Sequence, residues 1–215
     1  MHWSLSILIL IIFFTAYAVL HSLLAALPVK NWAQRVFGAG VERWYRLVYN
    51  IIGGITLLPL FPLLAWLPTQ TLYIVPAPWR WLMVGGQLLA LAGLAVALLQ
   101  TGLFHFLGLA QVVAERPAES GTLNLGGFYG WVRHPLYFFS LMFLWLTPIM
   151  TSNLLTAYFL FTLYFYLGSF FEERRLIAEF GSAYRDYQQR VPRLIPIRFR
   201  FSRPLIAEQN VKRET

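Results

Sequence analysis

Long stretches without a charged side chain, broken by short polar segments, set the pattern of this chain. From Ser4 to Val29 the only residue that can carry a charge near neutral pH is His21. Leu47 to Trp79 has none, and Trp81 to Ala114 has only His105. About 20 apolar residues cross a bilayer core, so the pattern predicts a transmembrane helix in the first stretch and two more near 47–67 and 81–101. Met1-His2-Trp3 lacks a basic n-region and the apolar stretch behind it is long, which disfavours a cleaved signal peptide. Pro135 to Phe171 is a run of 37 uncharged residues, too long for one crossing and nearly enough for two. Thr147-Pro148 and Thr151-Ser152-Asn153 supply a break, so the run reads as a helical hairpin near 135–150 and 153–171. A hairpin returns its ends to one side. Arg133-His134 is therefore expected beside Glu172-Glu173.

The intervening segments complete the outline. Lys30 to Arg46, with Arg35 and Arg43, reads as a short positive connection. Pro59, Pro62 and Pro68 are expected to kink or end the second span, leaving a loop over 68–78. Trp66, Tyr73, Trp79 and Trp81 fit an aromatic belt at an interface. Gly85, Gly86 and Gly93 permit close helix approach in the third span, and 104–111 is expected to run on along the interface. Glu115 to Gly127 reads as a loop. Beyond Glu172, Leu176, Phe180, Tyr184 and Tyr187 recur at spacings of four, four and three, one face of an interfacial amphipathic helix. The fold class predicted is all-α: a polytopic membrane bundle of about five transmembrane helices plus a C-terminal interfacial helix. Divisions fall at 1–114 for the first three spans, 115–200 for a polar-mouthed core and 201–215 for a basic tail. No long internal repeat is visible.

Composition sharpens this. The chain is 58% hydrophobic and 12% charged, against about 25% charged in soluble domains, with mean hydropathy +0.59. It reads as an integral membrane protein. With no cysteine, disulfides, thiolate nucleophiles, iron–sulfur clusters and Cys-based zinc sites are excluded. Ten of the 17 Lys and Arg residues lie between Arg174 and Arg213. A basic segment beside a span marks the cytoplasmic face and contacts anionic lipid, so the net charge of +8 argues for the bilayer rather than nucleic acid. Positive-inside counting puts the N-terminus outside and the C-terminus in the cytoplasm.

Ionisable groups at the membrane edge are costly, so the cluster at the hairpin mouth is the candidate site. Charges that merely cap spans are the bland reading of Glu172 and Glu173. Four ionisable groups converging on one mouth favour a small zwitterionic ligand, with Arg taking a carboxylate and Glu an ammonium or sugar hydroxyls. His134 precedes a proline that opens a helix, where it can bind a ligand or act as a general base, or be a satisfied loop histidine. His21 and His105 could ligate haem or serve as interhelical hydrogen-bond glue, which keeps a non-enzymatic haem or assembly protein as an alternative. Gly126, Gly127 and Gly130 do not form G-x-G-x-x-G and lie in no βαβ unit, so any nucleotide is held without a Rossmann fold. No metal site is expected.

An ordered set of motifs covers about the last 90 residues. These are Gly130-x-x-Arg133-His134-Pro135-x-Tyr137, Glu172-Glu173-x-x-Leu176, Gly181-x-x-Tyr184-x-x-Tyr187 and Val191-Pro192-x-x-Ile195-Pro196. They resemble the isoprenylcysteine carboxyl methyltransferase and phospholipid methyltransferase superfamily. Shorter features resemble its bacterial methanethiol S-methyltransferase branch: His21-Ser22, Phe106-Leu107-Gly108-Leu109-Ala110-Gln111 and Leu146-Thr147-Pro148-Ile149-Met150-Thr151. The resemblance implies a methyltransferase core over 115–200, using S-adenosylmethionine. It implies that Gly130, His134, Pro135, Tyr137, Glu172, Glu173, Tyr184 and Tyr187 lie at the cofactor and Arg133 near the reacting centre, with Arg133 and His134 as catalytic candidates. Ser140 departs from the pattern, since many relatives have glycine three residues after the motif tyrosine. Three methyl acceptors stay open: a small thiol such as methanethiol, a prenylated cysteine carboxylate and a phospholipid amine. Short loops favour the thiol.

Overall fold

The computed structural model describes residues 2–38, 40–113 and 123–197. Most of the expected loop at 115–127 and the basic tail at 201–215 lie outside them. The described chain is an all-α bundle with one two-stranded ribbon. Four of its helices are long and apolar enough to cross a membrane, and the protein is an integral membrane protein.

The chain forms two compact units. One contains α1 (Trp3–Ala25), α2 (Leu27–Phe37), α3 (Val41–Leu57), α4 (Leu60–Trp66), β1 (Thr71–Ile74), α6 (Leu103–Leu107), α7 (Leu109–Val113), β2 (Ile149–Thr151) and the start of α9 (Ser152–Arg190). The supposed connection at 30–46 is therefore mostly helical. Ala26 is extended, Pro28 sits in the first turn of α2, and Gly38 ends it at φ 80°. The second span runs from Val41 to Trp66 as one candidate crossing, with its break at Leu58-Pro59, where the proline removes a donor. Gly108, at φ 88°, forms the corner between α6 and α7 and lies against the Leu47 backbone, where a Cβ would come within 2.5 Å of the Leu47 nitrogen.

The loop expected over 68–78 contains β1, which pairs antiparallel with β2. Ser152 and Asn153 knit this ribbon. The Ser152 N–H donates to the Gln70 carbonyl at 2.9 Å, and Asn153 Nδ2 donates to the Leu67 carbonyl at 3.1 Å. Strands this short leave no clear period in a sequence.

The second unit holds α5 (Trp79–Thr101), a 3₁₀ turn at Gly127–Gly130, α8 (Pro135–Trp145) and the remainder of α9. α8 ends at Trp145 rather than near 150, leaving 11 helical residues. α9 does not stop at 171. It continues to Arg190, with a kink at Gly181, whose φ of 56° favours glycine. The face carrying Phe180, Tyr184 and Tyr187 packs with Leu123 and Val191 into a buried cluster, with Leu176 against it.

Candidate active site

Proline shapes the approach to the site. A residue before proline is driven out of the α region, and His134 has φ −125° and ψ 69° as Pro135 opens α8. The segment is then bolted to the chain beyond α9. The Arg133 N–H donates to the Pro192 carbonyl at 2.9 Å, and the His134 N–H to the Arg193 carbonyl at 3.2 Å. The motif at 130–137 and the motif at 191–196 thus meet through backbone.

Side chains complete the join expected from the hairpin. Glu173 is buried, and Arg133 Nε donates to its Oε1 at 2.7 Å. His134 Nε2 lies 3.1 Å from the same oxygen, while Gln188 Nε2 and Arg193 Nη2 each donate to Oε2 at 2.9 Å. A carboxylate offers about four lone-pair sites, so these four partners saturate it. Arg133 Nη1 also donates to the Gln188 and Val191 carbonyls, at 3.0 and 2.6 Å, which closes the open end of α9.

Glu172 differs from its neighbour because successive helical residues point about 100° apart. Its side chain is 39% exposed. Its Oε2 accepts from the Tyr137 hydroxyl at 2.9 Å and lies 3.5 Å from His134 Nδ1. One acidic residue is consumed by structure, and the other faces outward.

His134 is therefore held between two carboxylates. Burial alone would lower its pKa, but hydrogen bonds to Glu172 and Glu173 raise it above the ordinary 6.5. Those bonds favour the charged form of the ring. Its ring stacks on Tyr137 at 5.3 Å, and Tyr137 stacks in turn on Phe165 at 4.9 Å. Tyr137 is thereby fixed between two rings, with its hydroxyl given to Glu172.

The other expected residues frame this core. Gly130 is exposed, and an added Cβ would meet nothing closer than 3.8 Å, which leaves its backbone approachable. Pro135 is buried. The Tyr187 hydroxyl donates to the Tyr129 carbonyl at 2.7 Å. The Tyr184 hydroxyl is buried with no hydrogen-bond partner among the described residues. His21 pairs with Tyr49 at 2.5 Å and stacks on Tyr17 at 5.5 Å, while His105 pairs with Gln111 at 3.1 Å. Both histidines belong to the first unit, in interhelical or local polar contacts.

Sequence reasoning missed Arg193 and Gln188. Arg193 lies over the Phe170 ring at 3.7 Å while holding Glu173. Its place inside the Val191–Pro196 motif was a usable signal. Gln188 looked like one more polar residue at a helix end.

Comparison with known proteins follows the same direction. No family model matches the chain, and no solved structure matches it. The chain is similar to a methanethiol S-methyltransferase of a Pseudomonas species, 34% identical over 205 residues covering 91% of this chain and 75% of that protein. Methanethiol S-methyltransferase 2 of Bradyrhizobium diazoefficiens is 34% identical over 204 residues, 89% of this chain and 73% of the relative. A methanethiol S-methyltransferase of Mycobacterium tuberculosis is 30% identical over 189 residues, 84% and 74% of the two chains. Likeness at this level along nearly the whole length, including the segments that build the Arg133–Glu173 join, makes the chain a methyltransferase belonging to the methanethiol S-methyltransferase family.

Proposed function

We propose that this protein transfers a methyl group from S-adenosylmethionine to methanethiol or a similarly small thiol. We place it in a bacterial inner membrane with the C-terminal site facing the cytoplasm. The observation that carries the reading is His134 clamped between Glu172 and Glu173 at a mouth built by the two ends of one hairpin. The relatives named for methanethiol supply the acceptor class.

The residues fit an amino-acid sulfonium nucleoside. Half-buried Glu172 can take an ammonium or ribose hydroxyls, and Gly130 lets a ligand approach the backbone. Arg193 Nε is buried without a hydrogen-bond partner among the described residues, a donor suited to a carboxylate. In this reading His134, Tyr137, Glu172 and Gly130 contact the cofactor. Pro135, Glu173, Tyr184 and Tyr187 shape the pocket, and Arg133 stands near the reacting centre. When bound, the cofactor supplies an electrophilic methyl group. In-line displacement needs alignment more than proton transfer, so a rigid mouth can provide most of the acceleration. The thiolate is the nucleophile, and the positive charge of Arg133 and Arg193 at the mouth favours it over the thiol.

The test uses purified protein in lipid vesicles with methyl-labelled S-adenosylmethionine and methanethiol. Volatile labelled dimethyl sulfide is expected. Label confined to the lipid extract would reject the thiol reading in favour of a lipid-like acceptor. Failure of folded protein to bind S-adenosylhomocysteine in calorimetry would reject the cofactor.

A further inference from the structure

We infer that Gln100, at the C-terminal end of α5, is a positioning residue for the proposed cofactor mouth, acting through the Gly127–Gly130 turn. This rests on the S-adenosylmethionine reading above.

The argument begins on one face of α5. Gly86, Ala90, Gly93, Ala97 and Gln100 are spaced four, three, four and three residues apart, a single helical stripe. Ala90 and Ala97 are fully buried. Where Gly93 lacks a Cβ, the Phe139 ring of α8 fills the space. Leu146 does the same at Gly86. Small residues bring α8 down onto α5, and the stripe then ends on an amide.

That amide grips the turn. Gln100 Oε1 accepts from the Phe128 N–H at 3.1 Å. Its Nε2 lies against Gly127, where a Cβ would have no room, and Gly127 has φ 58°. The backbone carbonyl of Gln100 accepts from Asn124 Nδ2 at 2.8 Å, and Asn124 Oδ1 accepts from the Gly126 N–H at 3.0 Å. The next residue, Thr101, shares a hydrogen bond with the Tyr129 hydroxyl at 2.7 Å. From the other side Tyr187 holds the Tyr129 carbonyl, and the Phe128 ring packs on Phe139 at 4.7 Å.

The turn is thus held at three successive residues. Trp131 and Val132 both donate backbone N–H groups to the Phe128 carbonyl, and Arg133 and His134 follow directly. An error in Phe128 propagates to the ring of His134 and to the exposed backbone at Gly130. Gln100 acts through the turn and not at the Arg133–Glu173 cluster, so its effect should fall on binding.

The experiment compares Gln100→Met, Gly127→Ala and the double variant in the full-length protein. Three quantities are read: KM for S-adenosylmethionine, kcat, and thermal midpoint in detergent. Gln100→Met keeps the size and loses the acceptor. It is expected to raise KM about tenfold with kcat within about twofold. Because both substitutions act on one contact, the double variant should show less than the product of the single effects on KM. Unchanged KM in folded Gln100→Met overturns the inference, as does full multiplicativity. Should Gln100→Met not fold, Gly127→Ala alone decides, with an unchanged KM counting against the proposal. A wild-type protein that fails to bind S-adenosylhomocysteine rejects the cofactor reading instead, which keeps the two failures apart.

Discussion

Adjacent glutamates with opposite surroundings define the site at the residue scale. Glu173 neutralises Arg133 and Arg193 from a buried position, so Glu173→Gln leaves two guanidinium groups poorly balanced. Removing one partner of a buried pair costs about 3–5 kcal/mol, and chemical unfolding in detergent is expected to show a loss of that order. The bonds to Glu172 fall on its Oε2, and its side chain is only partly buried. Glu172→Gln should therefore weaken S-adenosylhomocysteine binding by about 1–3 kcal/mol with little change in unfolding, measured by calorimetry. A reversal of the two phenotypes would invert the assignment. His134 adds a pH dependence. Its folded pKa is raised, so the stability it contributes is fully present below about pH 6.5 and is lost as pH rises through the raised value. Thermal midpoints of wild type and His134→Gln, measured from about pH 6 to about pH 9, should converge toward the alkaline end.

Among the elements, α5 and α8 carry the mount. Gly93 and Gly85 lie on the same helix yet make opposite demands. A methyl group at Gly93 meets the Phe139 ring, whereas nothing lies within 4 Å of one at Gly85. Gly93→Ala is expected to cost about 1–3 kcal/mol through overpacking. Gly85→Ala should be neutral or stabilise by up to about 1 kcal/mol, because alanine is the better helix former. Paired thermal melts check this, and equal effects would show that α8 does not press on Gly93. α8 itself has 11 residues, a rise of about 16 Å, or half a hydrocarbon core. Backbone that leaves a helix must find partners for its polar groups, and β2 finds them on β1. That pairing joins segments about 80 residues apart, which is why local pattern did not reveal it.

For the whole molecule, the number of crossings remains the quantity with most consequence for function, since it decides which face holds the site. Four helices qualify by length, and α8 is short. The chain has no cysteine, so single cysteines report cleanly. If α8 and its continuation cross, four spans separate Arg35 from Arg185, and both lie on one side. If they do not, three spans separate them, and the two lie on opposite sides. We expect Arg35→Cys and Arg185→Cys both to resist a membrane-impermeant maleimide in intact cells and to react after permeabilisation. Labelling of only one in intact cells would overturn the five-span topology and the cytoplasmic placement of the mouth.

Membrane class, three of the long helices, the α8–α9 hairpin and the meeting of Arg133-His134 with Glu172-Glu173 were legible in the chain. Bilayer thickness turns uncharged runs into spans, and a break in a double-length run brings charges back together. Tertiary structure alone decided which glutamate is buried, that Arg193 and Gln188 complete its ring of donors, and that Gln100 holds the turn before the motif. Those choices depend on helix phase and on backbone carbonyls left open at the end of α9, and neither is written in residue type. Periodicity locates a face. Only packing against a particular neighbour determines what that face holds.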